Sequence, residues 1–220
     1  MKKEKFVVLL ILLLSIISFN YVKADSSLPL LDRVIYLDPG HGGKDPGAMY
    51  KDIKESDINL EITLELEKEL SKMGAIVYLT RDGDYDLSTS EHNRKRNDLS
   101  RKAALINNSD AELYLTIHLN SVNSSTWYGA QVFYDDINSK NVEIANIMQE
   151  ELKRTLKTNR KYKEIKDIYL NRHVKVPGVL IEVGFLSNPN ERYLLQNENY
   201  QKKLAKSIAN ATVKCFDKLL

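Results

Sequence analysis

Short apolar runs alternate along this chain with longer segments in which apolar residues recur every three or four positions. Runs of the first kind are typical of buried strands, and segments of the second kind are typical of helices with one buried face. The pattern predicts strands at 34–37, 75–80, 112–119, 129–134 and 179–183, and helices at 56–73, 97–107, 140–155, from 188 and at 199–219. Because strands separated by helices form covered parallel sheets, we expect a single α/β layered domain with a largely parallel sheet.

The first 24 residues have a different pattern from the rest of the chain. A basic start precedes an unbroken apolar run over 6–19, and Val22 and Ala24 occupy the −3 and −1 positions of a small-residue cleavage site. This pattern predicts a secretory signal peptide at 1–24, a mature form without a membrane span and a domain that works outside the cytoplasm. An uncleaved membrane anchor is the alternative, although the apolar run is short for a full span.

Charge and cysteine content limit the partners that the remaining residues can have. The whole chain carries a net charge of +2, but residues 1–24 hold four Lys and one Glu, so residues 25–220 carry −1. A domain so close to neutral argues against nucleic-acid binding driven by bulk charge. Residues 25–32 are interpreted as a linker and 33–220 as one domain, in which the lone Cys215 has no partner for an internal disulfide and is expected to be a small buried hydrophobe.

Four side chains stand out because of their positions. His41 follows the first predicted strand in a glycine-rich loop, and His118 ends the strand at 112–119. Glu182 lies within the apolar strand at 179–183, whereas Glu55 lies just before the first long helix. In open α/β sheets the sites form beyond the carboxyl ends of the strands, so at least three of these side chains are expected at one edge.

Each of the four also has an ordinary interpretation. His41 reads as a loop imidazole, and His118 reads as a buried imidazole with a satisfied hydrogen bond. Glu182 reads as the carboxylate of a buried ion pair with Arg81 or Arg101, because a carboxylate in an apolar strand needs a charge partner or a metal. Glu55 reads as an acidic residue that complements a helix dipole.

Taken together, two His and two Glu fit a metal-assisted hydrolysis. Two His and one carboxylate are a recognised catalytic zinc set, which leaves one coordination position for water. Zinc lowers the pKa of that water to about 7, and a second carboxylate can act as general base and pass the proton to the leaving amine. A nucleophilic scheme fits poorly, since Cys215 is badly placed and the chain has no Gly-x-Ser-x-Gly motif. His92 and His173 lie in polar stretches and read as surface residues, with His173 the better candidate for lining the groove.

The motifs around these residues resemble those of the zinc-dependent N-acetylmuramoyl-L-alanine amidases. The resemblance runs from about Arg33 to the C-terminus and rests on LDPGHGG at 37–43, Glu55 before a helix, TIHLN at 116–120 and VLIEVGFLSNP at 179–189. It implies a mixed α/β sandwich around a twisted, mostly parallel sheet, and an amidase catalytic domain at 33–220. The implied site has one Zn²⁺ ion held by His41, Glu55 and His118, with Glu182 as the catalytic residue. The candidates for substrate binding are Asn120, Arg101 and His173.

Within that family the chain looks like the spore-cortex, germination-specific (CwlD-like) amidases. It is a minimal domain behind a signal sequence, and the stretch after Tyr134 reads as a core helix instead of an insertion that plugs the site. The resemblance implies removal of stem peptides from peptidoglycan around the forespore, as the first step towards the muramic-δ-lactam needed for germination. It also implies a lipoprotein partner that activates or targets the enzyme, as in some clostridial relatives. The alternatives are a vegetative autolysin, a non-catalytic wall-binding module and a zinc peptidase that cuts within the stem peptide.

Overall fold

The computed structural model describes residues 28–220, so the predicted signal peptide and residues 25–27 lie outside the described residues. The strands are β1 (Val34–Pro39), β2 (Met49–Tyr50), β3 (Ile53–Lys54), β4 (Ile76–Leu79), β5 (Leu113–Asn120), β6 (Gln131–Tyr134), β7 (Lys163–Glu164) and β8 (Gly178–Phe185). The helices are α1 (Glu55–Lys72), α2 (Arg94–Asn107), α3 (Asn141–Leu156), α4 (Tyr169–His173), α5 (Pro189–Leu195) and α6 (Glu198–Lys218).

Six of the strands form one sheet in the order β4-β1-β5-β8-β6-β7. The central strand β5 pairs in parallel with β1 and β8, and β1 pairs in parallel with β4. Strand β6 runs antiparallel to β8 and carries the short edge strand β7 in parallel. The predicted α/β domain with a mostly parallel sheet is confirmed, and β2 with β3 forms a separate two-stranded hairpin.

The two faces of the sheet carry different side chains because successive residues of a strand point to opposite sides. On one face, residues such as Leu37, Leu115 and Ile181 form the main apolar core, which α1, α3 and α6 cover. On the other face, Tyr36 and Tyr114 form a smaller cluster with side chains from α2 and α4. A cavity opens on this second face, and the candidate site residues His118 and Glu182 lie on it.

Three short elements fall in stretches whose sequence has no regular apolar period. The stretch 157–167, expected to be a loop, contains the edge strand β7. The hairpin β2–β3 and the five-residue helix α4 were likewise not predicted. Two-residue strands and a helix of fewer than two turns are too short for a repeat, so their positions are set by tertiary contacts.

The described part of the chain also bears on the expected boundaries. Leu30 is fully buried in the main core, and its backbone N–H donates to the carbonyl of Met73 at 2.9 Å. The packed domain therefore includes residues of the expected linker. Cys215 is buried in α6, where burial raises the pKa of its thiol to about 12. Among residues 28–220, no helix is both long and apolar enough to cross a membrane.

Candidate metal centre

Three side chains from three different elements converge at the partly covered face of the sheet. His41 lies in the loop after β1, Glu55 is the first residue of α1, and the donor atoms of both lie within 4.8 Å of each other and of His118 on β5. Glu55 Oε1 is 2.9 Å from Nδ1 of His118 and 3.3 Å from Nε2 of His41. The two imidazole rings meet edge to face with their centroids 4.9 Å apart. Of the candidate site residues, these three are the ones whose donor atoms the fold brings together most closely.

The orientations of Glu55 and His41 are each fixed by further contacts. Glu55 Oε1 also accepts from the backbone N–H of Leu119 at 3.1 Å, and Glu55 Oε2 accepts from that of Ala48 at 2.8 Å. His41 Nδ1 lies 2.9 Å from the carboxylate of Asp45, which leaves Nε2 directed towards Glu55. A carboxylate on the far nitrogen of an imidazole is the usual way in which metal-binding His residues are oriented.

Electrostatic interactions among these side chains shift the pKa values of Glu55 and His41. Burial alone would raise the pKa of Glu55, but hydrogen bonds from His118 and His41, together with their charges, lower it well below its ordinary value. For His41, burial opposes the charged form, yet the hydrogen bonds and charges of Glu55 and then Asp45 raise its pKa. The carboxylate is thus held in the ionised state in which it can bind a cation.

Glycines make the close approach of the donors possible. A Cβ atom on Gly40 would lie 2.3 Å from the imidazole of His118, so the ring rests directly on the glycine backbone. A Cβ atom on Gly47 would lie 2.6 Å from Glu55 Oε2, and Gly47 also has a φ of +68°. His41 itself has a φ of 62°, which is uncommon for a residue with a side chain.

The loop that carries His41 is held in this conformation by the buried Arg81. Its Nε donates to the carbonyl of His41 at 2.7 Å, and its Nη2 donates to the carbonyls of Gly40 and Ser56, both at 2.9 Å. Ser56 follows Glu55 in the first turn of α1, so one guanidinium connects the segments that carry two of the three donors. Nearby, the buried Lys102 places its Nζ 3.0 Å from Asp38 at the end of β1.

Glu182 lies beside this cluster, in register with His118 on the neighbouring strand. Its Oε2 is withdrawn from solvent and has no hydrogen-bond partner among the described residues. Burial raises the pKa of Glu182 to about 8, with the charge of Glu55 acting in the same direction and that of His41 opposing it. The ion pair with Arg81 or Arg101 considered from sequence does not form, since Arg81 donates to backbone carbonyls.

A cavity of about 400 Å³ opens in front of these residues. His41, His118 and Glu182 form one end of its lining, and α2 and α4 contribute the opposite wall. The lining also includes Asp38, Gly40, Asp45, Lys95, Asp98, Leu99, Lys102, Thr116, Asp167, Ile168, Tyr169, Leu170, Asn171 and Leu180.

The three residues expected to bind substrate lie outside the lining of this cavity. Arg101 lines a separate groove with Tyr36 and Tyr78, beside the edge strand β4. Asn120 ends β5, where its carbonyl accepts from the backbone N–H of Leu186. His173 is exposed, and its ring stacks on Tyr169, which does line the cavity, at a centroid distance of 3.8 Å. His92 is exposed, as its polar surroundings indicate.

Sequence reasoning missed several residues that shape this site. From the sequence, Arg81 is interpreted as an ion-pair partner and as part of surroundings that resemble the amidase family, whereas Lys102 and Asn171 have no such interpretation. The signal for Arg81 was its position directly after a strand, where a cation can reach the backbone of neighbouring strand ends. Asn171 lies in a short segment of mixed polar and apolar residues with no period, and Lys102 is one of several cations in α2, so neither had a usable signal.

A family model described as N-acetylmuramoyl-L-alanine amidase matches residues 35–214. The germination-specific N-acetylmuramoyl-L-alanine amidase of Bacillus subtilis (strain 168) is 43% identical over 225 aligned residues, which cover 98% of this chain and 95% of that protein. The N-acetylmuramoyl-L-alanine amidase LytC of the same strain is 31% identical, over 86% of this chain and 36% of that protein. The solved CwlD amidase from Clostridioides difficile, in complex with the GerS lipoprotein, superposes with a TM-score of 0.81 at 41% identity, over 84% of this chain and 99% of that one.

Proposed function

Because the chain belongs to the N-acetylmuramoyl-L-alanine amidase family, we propose that it works with zinc in the spore cortex. The chain is an amidase, and the family reaction is hydrolysis of the amide bond between N-acetylmuramic acid and L-alanine in peptidoglycan. The proposal adds to this the metal, the roles of four residues and the biological setting. One observation carries the chemistry: the donor atoms of His41, Glu55 and His118 lie within 4.8 Å of one another, next to Glu182.

The residues present fit a zinc ion. Two imidazoles and one carboxylate are a common catalytic zinc set, and His41 has on its far nitrogen the carboxylate of Asp45 that such ligands usually have. We assign His41, Glu55 and His118 as the residues that would hold the ion. When bound, zinc supplies Lewis acidity, which polarises a carbonyl oxygen and makes a water molecule more acidic.

Glu182 is assigned as the group that moves the proton. Its Oε2 has no hydrogen bond to another described residue, so it is free to accept a proton from the attacking water. As the water oxygen bonds to the lactyl carbonyl carbon and the C–N bond breaks, Glu182 delivers that proton to the alanine nitrogen. The products are a lactyl carboxylate on the sugar and a peptide with a free N-terminus. Glu182 must therefore be ionised when it accepts the proton and protonated when it delivers it. Its burial, which raises its pKa, favours only the second of these states.

The setting in the spore cortex is supported by the relatives. The B. subtilis protein that covers almost the whole chain is germination-specific, and the chain in turn spans 95% of it. We propose that this chain removes stem peptides from cortex muramic acid, as the first step towards muramic-δ-lactam. The CwlD amidase of C. difficile was solved with a lipoprotein, and we propose a lipoprotein partner for this chain too. Secretion by a signal peptide at 1–24, cleaved after Ala24, would bring this chain to the space around the forespore.

The test is a digest of cortex-type peptidoglycan by the secreted protein with added zinc, read by mass spectrometry. We expect free peptides that begin with L-alanine, and no release by a sample stripped of metal or by the Glu182→Gln variant. Shortened stems that remain on the sugar would instead identify a peptidase that cuts within the stem. Release from vegetative wall only, with none from cortex, would overturn the cortex role and favour a vegetative autolysin.

A further inference from the structure

Three residues that line the cavity have buried polar atoms without a hydrogen-bond partner among the described residues: Thr116, Asn171 and Glu182. The proposed chemistry uses Glu182 but leaves the other two unexplained. Thr116 and Asn171 are each 1% exposed, and Asn171 leaves both its Oδ1 and its Nδ2 without a partner. Buried polar groups in native proteins are almost always hydrogen-bonded, so a side chain with both ends unsatisfied is expected to meet a ligand or an ordered water.

Both side chains lie close to the proposed reaction centre. Thr116 precedes His118 by two residues on β5, so the two side chains point to the same face of the sheet. Asn171 lies on α4, the helix that contacts this face beside β8. Two aliphatic side chains, Leu170 on α4 and Leu180 on β8, line the same cavity. Leu180 is also the residue paired with Thr116 across the two strands.

The chemistry of this wall matches an amide. A carboxamide offers an acceptor and two donors, and a hydroxyl can donate or accept. A secondary amide presents one C=O and one N–H, which are the complement of these groups, and the two Leu side chains suit the methyl group beside such an amide. We propose that Asn171 and Thr116 form a subsite that binds a secondary amide of the substrate next to the scissile bond. The inference rests on the proposed function, and the amide belongs either to an N-acetyl group of the glycan or to the peptide backbone of the stem.

A structural role for the same atoms makes a different prediction. The hydroxyl of Tyr114 and Oδ2 of Asp135 are also buried without a partner, and Tyr114 lies two residues before Thr116 on β5. A water enclosed between these groups and Asn171 would make the carboxamide part of the fold. In that case, removal of the Asn171 carboxamide lowers the melting temperature and leaves substrate binding unchanged.

The test compares Asn171→Leu and Thr116→Val with the wild type, all as full secreted protein with added zinc. The matched control is Ser207→Ala, which removes a buried, unpartnered hydroxyl from α6 in the opposite layer. We expect kcat/KM on soluble cortex fragments to fall about tenfold in each of the two variants and to stay unchanged in the control. Zinc content and melting temperature should not fall, because no hydrogen bond between described residues is lost. A kcat/KM within twofold of wild type, with or without a lower melting temperature, would overturn the subsite.

A binding measurement separates this inference from the proposed function. For calorimetric titration with an N-acetylmuramoyl-dipeptide, the wild-type and Asn171→Leu sequences each also carry Glu182→Gln, so that the probe is not cleaved, and the affinity should fall about tenfold with Asn171→Leu. A protein that binds this probe but does not cleave cortex would overturn the proposed function. The subsite would still be tested by the effect of Asn171→Leu on binding. Equal affinity of the wild type and Asn171→Leu for the probe would contradict the subsite alone.

Two modified substrates identify which amide is bound. If Asn171→Leu no longer lowers kcat/KM on de-N-acetylated glycan, the subsite is assigned to an N-acetyl group. If it no longer does so on glycan whose stems are trimmed to L-alanine, the subsite is assigned to the stem backbone. Such non-additivity reports direct contact between the two altered groups. A decrease in kcat/KM that persists in full on both substrates would overturn the assignment to a secondary amide.

Discussion

At the scale of single residues, Arg81 links the two segments that carry the metal-donor candidates His41 and Glu55. Its guanidinium donates to carbonyls in the loop after β1 and in the first turn of α1. The planar fork of Arg serves several acceptors in fixed directions, whereas the ammonium of Lys is a single point with a different reach. Because His41 has a positive φ, its loop requires such contacts to keep its conformation.

We expect Arg81→Lys to lower zinc affinity by about 10- to 100-fold, as is typical when a group that orients a ligand is removed. Several charge-assisted hydrogen bonds are lost with the guanidinium, so the free energy of unfolding should fall by about 2 kcal/mol or more. Zinc titration and denaturant unfolding measure the two effects. The control is Arg33→Lys at a half-exposed ion pair with Glu112, which should change stability by less than about 1 kcal/mol. Unchanged zinc affinity in Arg81→Lys would show that the loop keeps its conformation without Arg81.

A pair of variants separates the proposed proton transfer by Glu182 from the proposed metal binding by His118. Glu182→Gln keeps the shape of the side chain but cannot accept the proton, so turnover should fall by about 10²-fold to 10⁴-fold while zinc stays bound. His118→Ala removes a proposed donor, so zinc content and turnover should fall together. Metal analysis of the purified variants and the peptide-release assay provide the two readouts. Equal loss of zinc in both variants would contradict the separate roles.

Much of the candidate site could be predicted from the sequence. The rest could not, for physical reasons that differ from residue to residue. Glu182 was detectable because a carboxylate between Ile181 and Val183 contradicts the apolar strand around it. His41 and His118 were detectable from glycines and from a strand end. Asn171 was not detectable, since a polar residue in a short mixed segment without a period contradicts nothing around it, and it becomes buried only when α4 packs on the sheet.

At the scale of elements, the helix start at Asn188 is the clearest local prediction. Its side chain accepts from the backbone N–H groups of Asn190 and Glu191, with Pro189 in the first turn, as the order of these residues indicates. Asn188 also donates from Nδ2 to the carbonyl of Ser125, which attaches the loop after β5 to the end of β8. Local capping and one tertiary hydrogen bond are thus combined in one side chain.

We expect Asn188→Ala to lower the free energy of unfolding by about 1–2 kcal/mol, the usual cost of losing such a cap. Denaturant unfolding measures the change. The matched control is Asn197→Ala at the start of α6, where the side chain accepts from Tyr200 alone. If the contact with Ser125 contributes, Asn188→Ala is the more costly of the two. A larger loss in Asn197→Ala would mean that capping geometry decides both.

Elements differ in how far sequence alone could predict them. The long helices and the buried strands have a period that is repeated several times, so their type and position follow from the pattern. Strand β7 and helix α4 have no repeat, although α4 completes the wall of the cavity. Their positions depend on contacts made by the rest of the domain, such as the ion pair between Arg172 of α4 and the buried Asp135.

At the scale of the whole molecule, the sheet has the main apolar core on one face and the cavity with the candidate site on the other. One face is closed by α1, α3 and α6 around the main apolar core, and the other face leaves room for the cavity in front of Glu182. The register of β1, β5 and β8 brings their carboxyl ends to the same edge, which is why residues far apart in sequence meet there. The residues buried in the main core show where the folded domain begins at its N-terminal end.

The main core includes Leu30, which precedes the boundary expected at residue 33. Leu30 is fully buried, whereas its neighbour Leu31 is 59% exposed, so the two form a matched pair with the same side chain. We expect Leu30→Ala to lower the free energy of unfolding by about 2–5 kcal/mol, the range for a Leu removed from a packed core. Leu31→Ala should change it by about 0.5 kcal/mol or less, as for most surface positions. A protein that begins at residue 33 should lose at least as much stability as Leu30→Ala, since it also lacks the hydrogen bond from Leu30 to Met73. Urea unfolding of the three proteins decides the boundary, and equal stability of Leu30→Ala and Leu31→Ala would place the start of the domain after both.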